Sequence, residues 1–126
     1  MTDDPTPAQL IAAVAAFVRA EALPALHGAT AYQARVAANM LEIAQRELEL
    51  GPMHHASERQ RLRALLGRDG DLATLNRELC EQIAAGRITL ETPGLADHLW
   101  RTTLAKLAVD QPGYSTYRRE VRPEED

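Results

Sequence analysis

The chain has 126 residues, a formal net charge of −4 at pH 7 and 45% hydrophobic residues, but only 4% aromatic ones. That length suits one domain with an aliphatic core, burying about two-thirds of its unfolded surface. The acidic balance excludes nucleic acid as the main partner, since phosphate binding needs a basic face. No apolar run reads as approaching the roughly 20 residues that span a bilayer. The start MTDDPTPAQ is too acidic and polar for a secretory signal, and the single Cys80 excludes an internal disulfide framework. A cytoplasmic protein is the expectation.

After a lead-in over residues 1–5, Thr6-Pro7 is a strong helix start, with Gln9 completing a capping box. The first helix is predicted to run to about Ala22. Leu10, Val14 and Phe17 form its core stripe, Ile11 and Val18 lie beside them, and Glu21 intrudes at the end. Pro24 ends the helix and Leu26-His27-Gly28 makes the turn.

The longest helical pattern is Ala31 to Leu50, rich in good helix formers. Val36, Met40, Ile43 and Leu50 line one side, with Tyr32 at its edge. Arg35, Asn39, Glu42, Arg46 and Glu49 form a wholly polar stripe. Gly51 and Pro52 are expected to stop the helix. Glu47 continues the apolar side, so its carboxylate is expected to point toward the core and to need a cation, Lys106 being the first choice.

Pro52 to Ala56 reads as a connector and Ser57 as the cap of a short helix, Glu58 to Leu66. That helix turns Leu62, Leu65 and Leu66 inward and Arg59, Arg61 and Arg63 outward. Gly67 and the turn Arg68 to Asp71 follow, with Asp71 capping a helix from Leu72 to Ala85. Leu72, Leu75, Leu79 and Ile83 form its stripe and Gly86 its stop. Ile88 and Leu90 alternate with polar residues but have no visible partner strand. Thr92-Pro93 repeats the opening start signal for a last helix to about Val109, burying Leu95, Leu99, Trp100, Leu104 and Leu107. Gln111-Pro112-Gly113 stops it. Residues 115–126 are charged and nearly free of aliphatics, the composition of a disordered tail. The expected fold is all-α: an antiparallel bundle of about five helices over residues 6–114, followed by that tail.

At RVAANMLEIAQRELELGP and LAKLAVDQPGY the chain resembles a family of small uncharacterised bacterial helical domains. Members are often encoded beside aminoglycoside-phosphotransferase-like proteins and acyl-CoA dehydrogenases, and the resemblance runs from about Thr6 to Tyr114. It implies a neighbourhood in acyl-CoA metabolism and a kinase-like or dehydrogenase-like partner. It implies no activity and carries over no catalytic residue.

Motifs for chemistry are weak. His54, His55 and Glu58 form one grouping that suggests a metal, but a third ligand at suitable spacing is missing. Cys80, at the edge of its helix stripe, reads as a buried inert thiol. No glycine-rich phosphate loop, serine elbow or zincin motif is present, so no catalytic, metal or cofactor residue is assigned. More informative are polar residues that intrude on apolar faces: Glu21, Arg35, Asn39, Glu47, Asn76, Lys106 and Asp110. They form either an ion-pair network or the lining of a polar pocket or self-association face. Two functions follow. One is a non-catalytic module that binds its own copy or an adjacent kinase-like or dehydrogenase-like protein. The other is a small-molecule module that holds an acyl chain or acyl-CoA between helices.

Overall fold

A computed structural model of the chain describes residues 4–121, and among them every regular element is helical. Helix α1 spans Pro7–Phe17, and α2 spans Gly28–Leu66. Then come α3 over Leu72–Ala84, α4 over Leu95–Asp110 and α5 over Ser115–Val121. Contacts divide the chain into two compact units, residues 1–51 and 52–126.

Unit 1 opens as the capping box requires. The Gln9 backbone N–H donates to Thr6 Oγ1 at 3.2 Å, and the Thr6 N–H donates to Gln9 Oε1 at 2.8 Å. Two orphan donors of the first turn are thus satisfied. Past Phe17 the coil widens to a π turn, Val18–Ala22, in which the Leu23 N–H reaches back to Val18 O. It tightens to a 3-10 turn at Leu23–Ala25 before the Leu26–His27 link. Ala15 and Ala38 are fully buried in this unit, and Ile11, Val18, Leu41, Ile43 and Leu50 are half-buried. Much of the expected core stripes is on the outside instead: Leu10, Val14 and Phe17 on α1, and Tyr32, Val36 and Met40 on α2, are all exposed. At 100° per residue these positions lie on the side of each helix away from its buried alanine.

The stop expected at Gly51-Pro52 does not occur, because α2 runs through it for 39 residues. Proline in a helix removes one backbone bond and crowds the carbonyl four residues earlier. Here that carbonyl belongs to exposed Leu48, within reach of water, while the helical pattern resumes at once on the far side. Ser57 is therefore interior to the helix, and its hydroxyl accepts from Arg61 rather than capping. The left-handed glycine that ends α2 is Gly67, φ +71°. Gly51 is buried inside the helix, and a Cβ there would stand 2.9 Å from Glu47 Oε1, the movable end of an exposed side chain.

Unit 2 has a leucine core. Leu62 of α2, Leu75 and Leu79 of α3, Ile88 of the α3–α4 link and Leu95 of α4 are buried together, with Leu65, Leu66 and Leu72 packed around them. Asp71 caps α3 as expected, accepting from the Thr74 N–H at 2.8 Å, and these bonds hold its carboxyl below the usual range. Thr92-Pro93 does not start α4. The Thr92 hydroxyl accepts from the Thr89 N–H at 2.9 Å and closes a turn, and the helix begins after Gly94, whose φ is +96°. Of the expected α4 core, Leu99 and Trp100 are exposed, as is Ile83 of α3. The charged stretch expected to be a tail is helical over Ser115–Val121, and residues 122–126 lie outside the described residues.

Candidate functional site

The densest polar cluster in unit 2 is centred on Arg61, an arginine expected to face outward. It is half-buried. Its Nε donates to His98 Nδ1 at 3.1 Å, its Nη2 to Thr102 Oγ1 at 3.1 Å and its Nη1 to Ser57 Oγ at 2.9 Å. Geometry follows from the helix period. Ser57 is one turn before Arg61 on α2, and His98 and Thr102 are one turn apart on α4, so two successive turns of α4 receive one guanidinium. His98 is only 2% exposed. Accepting through Nδ1, the neutral ring carries its proton on Nε2. Burial, and then the Arg61 charge, hold its pKa below the ordinary value of 6.5. All three acceptors of Arg61 are neutral, so its charge has no bonded counter-ion among the described residues.

Beside this cluster lies an open cavity of about 270 Å³. Arg61, Arg101, His54, Ser57 and Tyr117 are its polar lining residues, and Leu104, Ala105, Ala108 and Val121 its apolar ones. Arg101 Nε also pairs with Asp97 Oδ2 at 2.9 Å, with both side chains more than half exposed. An ion pair that open to water contributes at most about 1 kcal/mol, and it leaves Arg101 able to turn.

Unit 1 holds a second cluster. Arg19, on the π turn, donates through Nε and Nη2 to both oxygens of Glu42 and through Nη2 to Asn39 Oδ1 at 2.6 Å. The hydrogen-bonded guanidinium keeps the Glu42 carboxyl below its usual range. This forked pair joins the π turn to Glu42 and Asn39 of the polar stripe of α2.

The seven intruding residues do not converge. Asn39 takes part in the Arg19 cluster, and Asn76 donates to Glu58 Oε1 at 3.2 Å in unit 2. Glu21, Arg35, Glu47, Lys106 and Asp110 are exposed. Glu47 is thus not directed into a core; its carboxylate lies back over Gly51. Lys106 makes no ion pair among the described residues. Cys80 is exposed rather than buried. His54 lines the cavity, Glu58 receives Asn76, and no group of metal-binding side chains assembles among the described residues. His98 and Arg61 were the residues missed. The available signals were their places three after Leu95 and four before Leu65, each bordering an apolar stripe.

These features define a protein whose regular elements are all helical among the described residues. The chain belongs to the DUF6285 family, a domain of unknown function whose model matches residues 24–114. The match begins after α1 and so contains the whole of the Arg61 cluster. No curated protein and no solved structure matches the chain.

Proposed function

We propose that the chain is a non-catalytic cytoplasmic accessory module that pairs through unit 1 with a second copy of itself. One observation carries this reading: unit 1 fully buries only alanines among its described apolar side chains and leaves large ones exposed. Phe17 is 60% exposed, Tyr32 65% and Met40 64%, with Leu10, Val14 and Val36 beside them. A pair of helices with so small a core gains little from burial, and most helical stability comes from packing an apolar face. Phe17 and Tyr32 alone offer on the order of 250 Å² toward the roughly 800 Å² per partner of a stable interface. The other four side chains supply most of the remainder. Two copies contribute four helical segments, enough to close an antiparallel four-helix bundle around these residues. Exposed Glu21 and Arg35, which make no ion pair among the described residues, are of opposite sign and suit a two-fold interface in which each meets the other's counterpart.

A lipid surface is the competing occupant. Contrary to the sequence expectation, Pro7–Ala25 is long and apolar enough to cross a membrane by length and composition, at a mean hydropathy of 1.4. Arg19 within it is committed to Glu42 and Asn39, which favours a protein setting. Sedimentation of the full chain, with and without phosphatidylglycerol vesicles, separates the cases. A dimer that Phe17→Ser with Met40→Ser converts to monomer supports the reading. Co-sedimentation with vesicles, or a monomer at every concentration, overturns it; the second result returns the surface to an adjacent kinase-like or dehydrogenase-like protein.

The second reading, a small-molecule module, is favoured by the basic groups beside the apolar wall of the unit 2 cavity. It is compatible with the first, since the cavity and the exposed stripes lie in different units.

A further inference from the structure

We infer that the unit 2 cavity is a binding site for a short-chain aliphatic monocarboxylate, with Arg61 and Arg101 holding the carboxylate and the wall of Leu104, Ala105, Ala108 and Val121 holding the tail. The inference rests on the small-molecule reading and names its ligand.

Arg61 supplies the first argument. A guanidinium has five N–H donors. Three are spent on Ser57, His98 and Thr102, one from each of its nitrogens. One N–H therefore remains on each terminal nitrogen, a fork matched to the two oxygens of a carboxylate. Three neutral partners fix the group's orientation without neutralising it, so its charge is available to a ligand. A half-buried cation without a bonded counter-ion is costly unless an anion visits it.

The companions of Arg61 supply the second. Arg101 adds a cation that only an exposed carboxylate, Asp97, competes for, while Ser57 and Tyr117 add hydroxyls and His54 a ring nitrogen to the same wall. Ala105 and Ala108 follow Arg101 at spacings of four and three on one face of α4, with Leu104 beside them, and Val121 follows Tyr117 by one turn on α5, so the apolar lining continues directly from the polar groups. The small side chains at 105 and 108 leave a slot where larger ones would fill it. Phosphate alone would use the polar side and leave this wall wet.

Size supplies the third. At roughly 30 Å³ per water-sized group, a cavity of 270 Å³ holds about nine non-hydrogen atoms. That is the size of hexanoate or heptanoate. The cavity is open, so this volume sizes the seated part of a ligand, and a free acid of that length fits it whole.

The test is titration of the full chain with hexanoate, hexanol and inorganic phosphate, followed by calorimetry and by amide shifts at residues 101–108. Expected is saturable hexanoate binding with Kd below about 1 mM, at least tenfold weaker hexanol and phosphate binding, and shifts confined to the cavity wall. Arg101→Gln, at an exposed position, should weaken hexanoate at least threefold, and Ala108→Leu should abolish it while the circular dichroism spectrum is unchanged. Arg61→Gln should weaken it at least tenfold, and its melting curve shows whether the fold survives. Equal hexanol and hexanoate binding overturns the carboxylate assignment but leaves a small-molecule site. Phosphate binding as tight as hexanoate overturns the tail slot. No binding of any of the three overturns the assignment and the small-molecule reading together.

Discussion

The two units use the same amino acids in opposite ways. Unit 2 gathers Leu62, Leu75, Leu79, Ile88 and Leu95 into one buried cluster. Unit 1 buries Ala15 and Ala38 and sets Leu10, Val14, Phe17, Tyr32 and Met40 in solvent. A fully buried leucine-sized side chain contributes about 1.5–3 kcal/mol relative to exposure, against about 0.8 kcal/mol for one methylene-sized group. Unit 2 therefore gains more from fully buried side chains than unit 1, which leaves more large apolar side chains in solvent. Unit 1 compensates locally with the capping box at Thr6 and the forked Arg19–Glu42 pair.

Substitutions sharpen this contrast in a descending series. Leu75→Ala should lower unfolding free energy by about 2–5 kcal/mol, the range for emptying a full core site. Phe17→Ala, measured where the chain is monomeric, should cost below about 1 kcal/mol, as surface changes do. Urea denaturation of both variants makes the comparison, and equal losses would erase the distinction between the units.

His98→Leu comes next. It leaves the Arg61 Nε–H without its acceptor, and an orphaned donor of this kind costs about 1–3 kcal/mol. His98 also sets a pH dependence. Its pKa is held down in the folded protein by burial and by Arg61, so the unfolded chain takes up a proton more readily than the folded one. Stability is then full above about pH 6.5 and declines as pH falls below that value, levelling once His98 protonates in the folded state too. Denaturation at pH 7.5 and 5.5 should show the decline in the wild type and a smaller one in His98→Leu. Identical pH profiles would mean that His98 takes up its proton alike in the folded and unfolded chain.

The smallest effects lie in the polar residues of unit 1. Glu42→Gln loses one side of the half-exposed pair with Arg19 and should cost up to about 1 kcal/mol. Glu47→Ala, at an exposed position, should stay within about 0.5 kcal/mol. A thermal melt that ranks Glu47→Ala as the more damaging would restore a core-facing carboxylate at that position.

Much of the scaffold was legible in the residues themselves. Thr6-Pro7-Gln9 and Asp71 are local signals that depend on neighbours one turn away, and both act as read. Gly67 and Gly86 adopt positive φ, the backbone state that makes glycine a stop. Gly51 shows the limit of such reading. The residue lies inside α2 without a positive φ, and composition cannot distinguish a helical glycine from a left-handed one. The element count came out at five by an exchange: two expected helices are one, and Ser115–Val121 supplies another. The stripes of unit 1 were found correctly as stripes, but periodicity reports only that an apolar side exists. Whether that side meets the same chain is a tertiary fact, and here Ala15 and Ala38 are buried while much of the stripe is not. The Arg61–His98 contact joins residues 37 apart in sequence, which no local spacing reveals.

The asymmetry between the units is tested most directly by native-state hydrogen exchange followed across protein concentration. Amides of Leu75 to Ile83 in α3 should be strongly protected and independent of concentration, because their core lies within unit 2. Amides of Leu10 to Phe17 in α1 should exchange quickly in dilute protein and gain at least tenfold protection as two copies pair. Protection of α1 equal to that of α3 at every concentration would contradict the account.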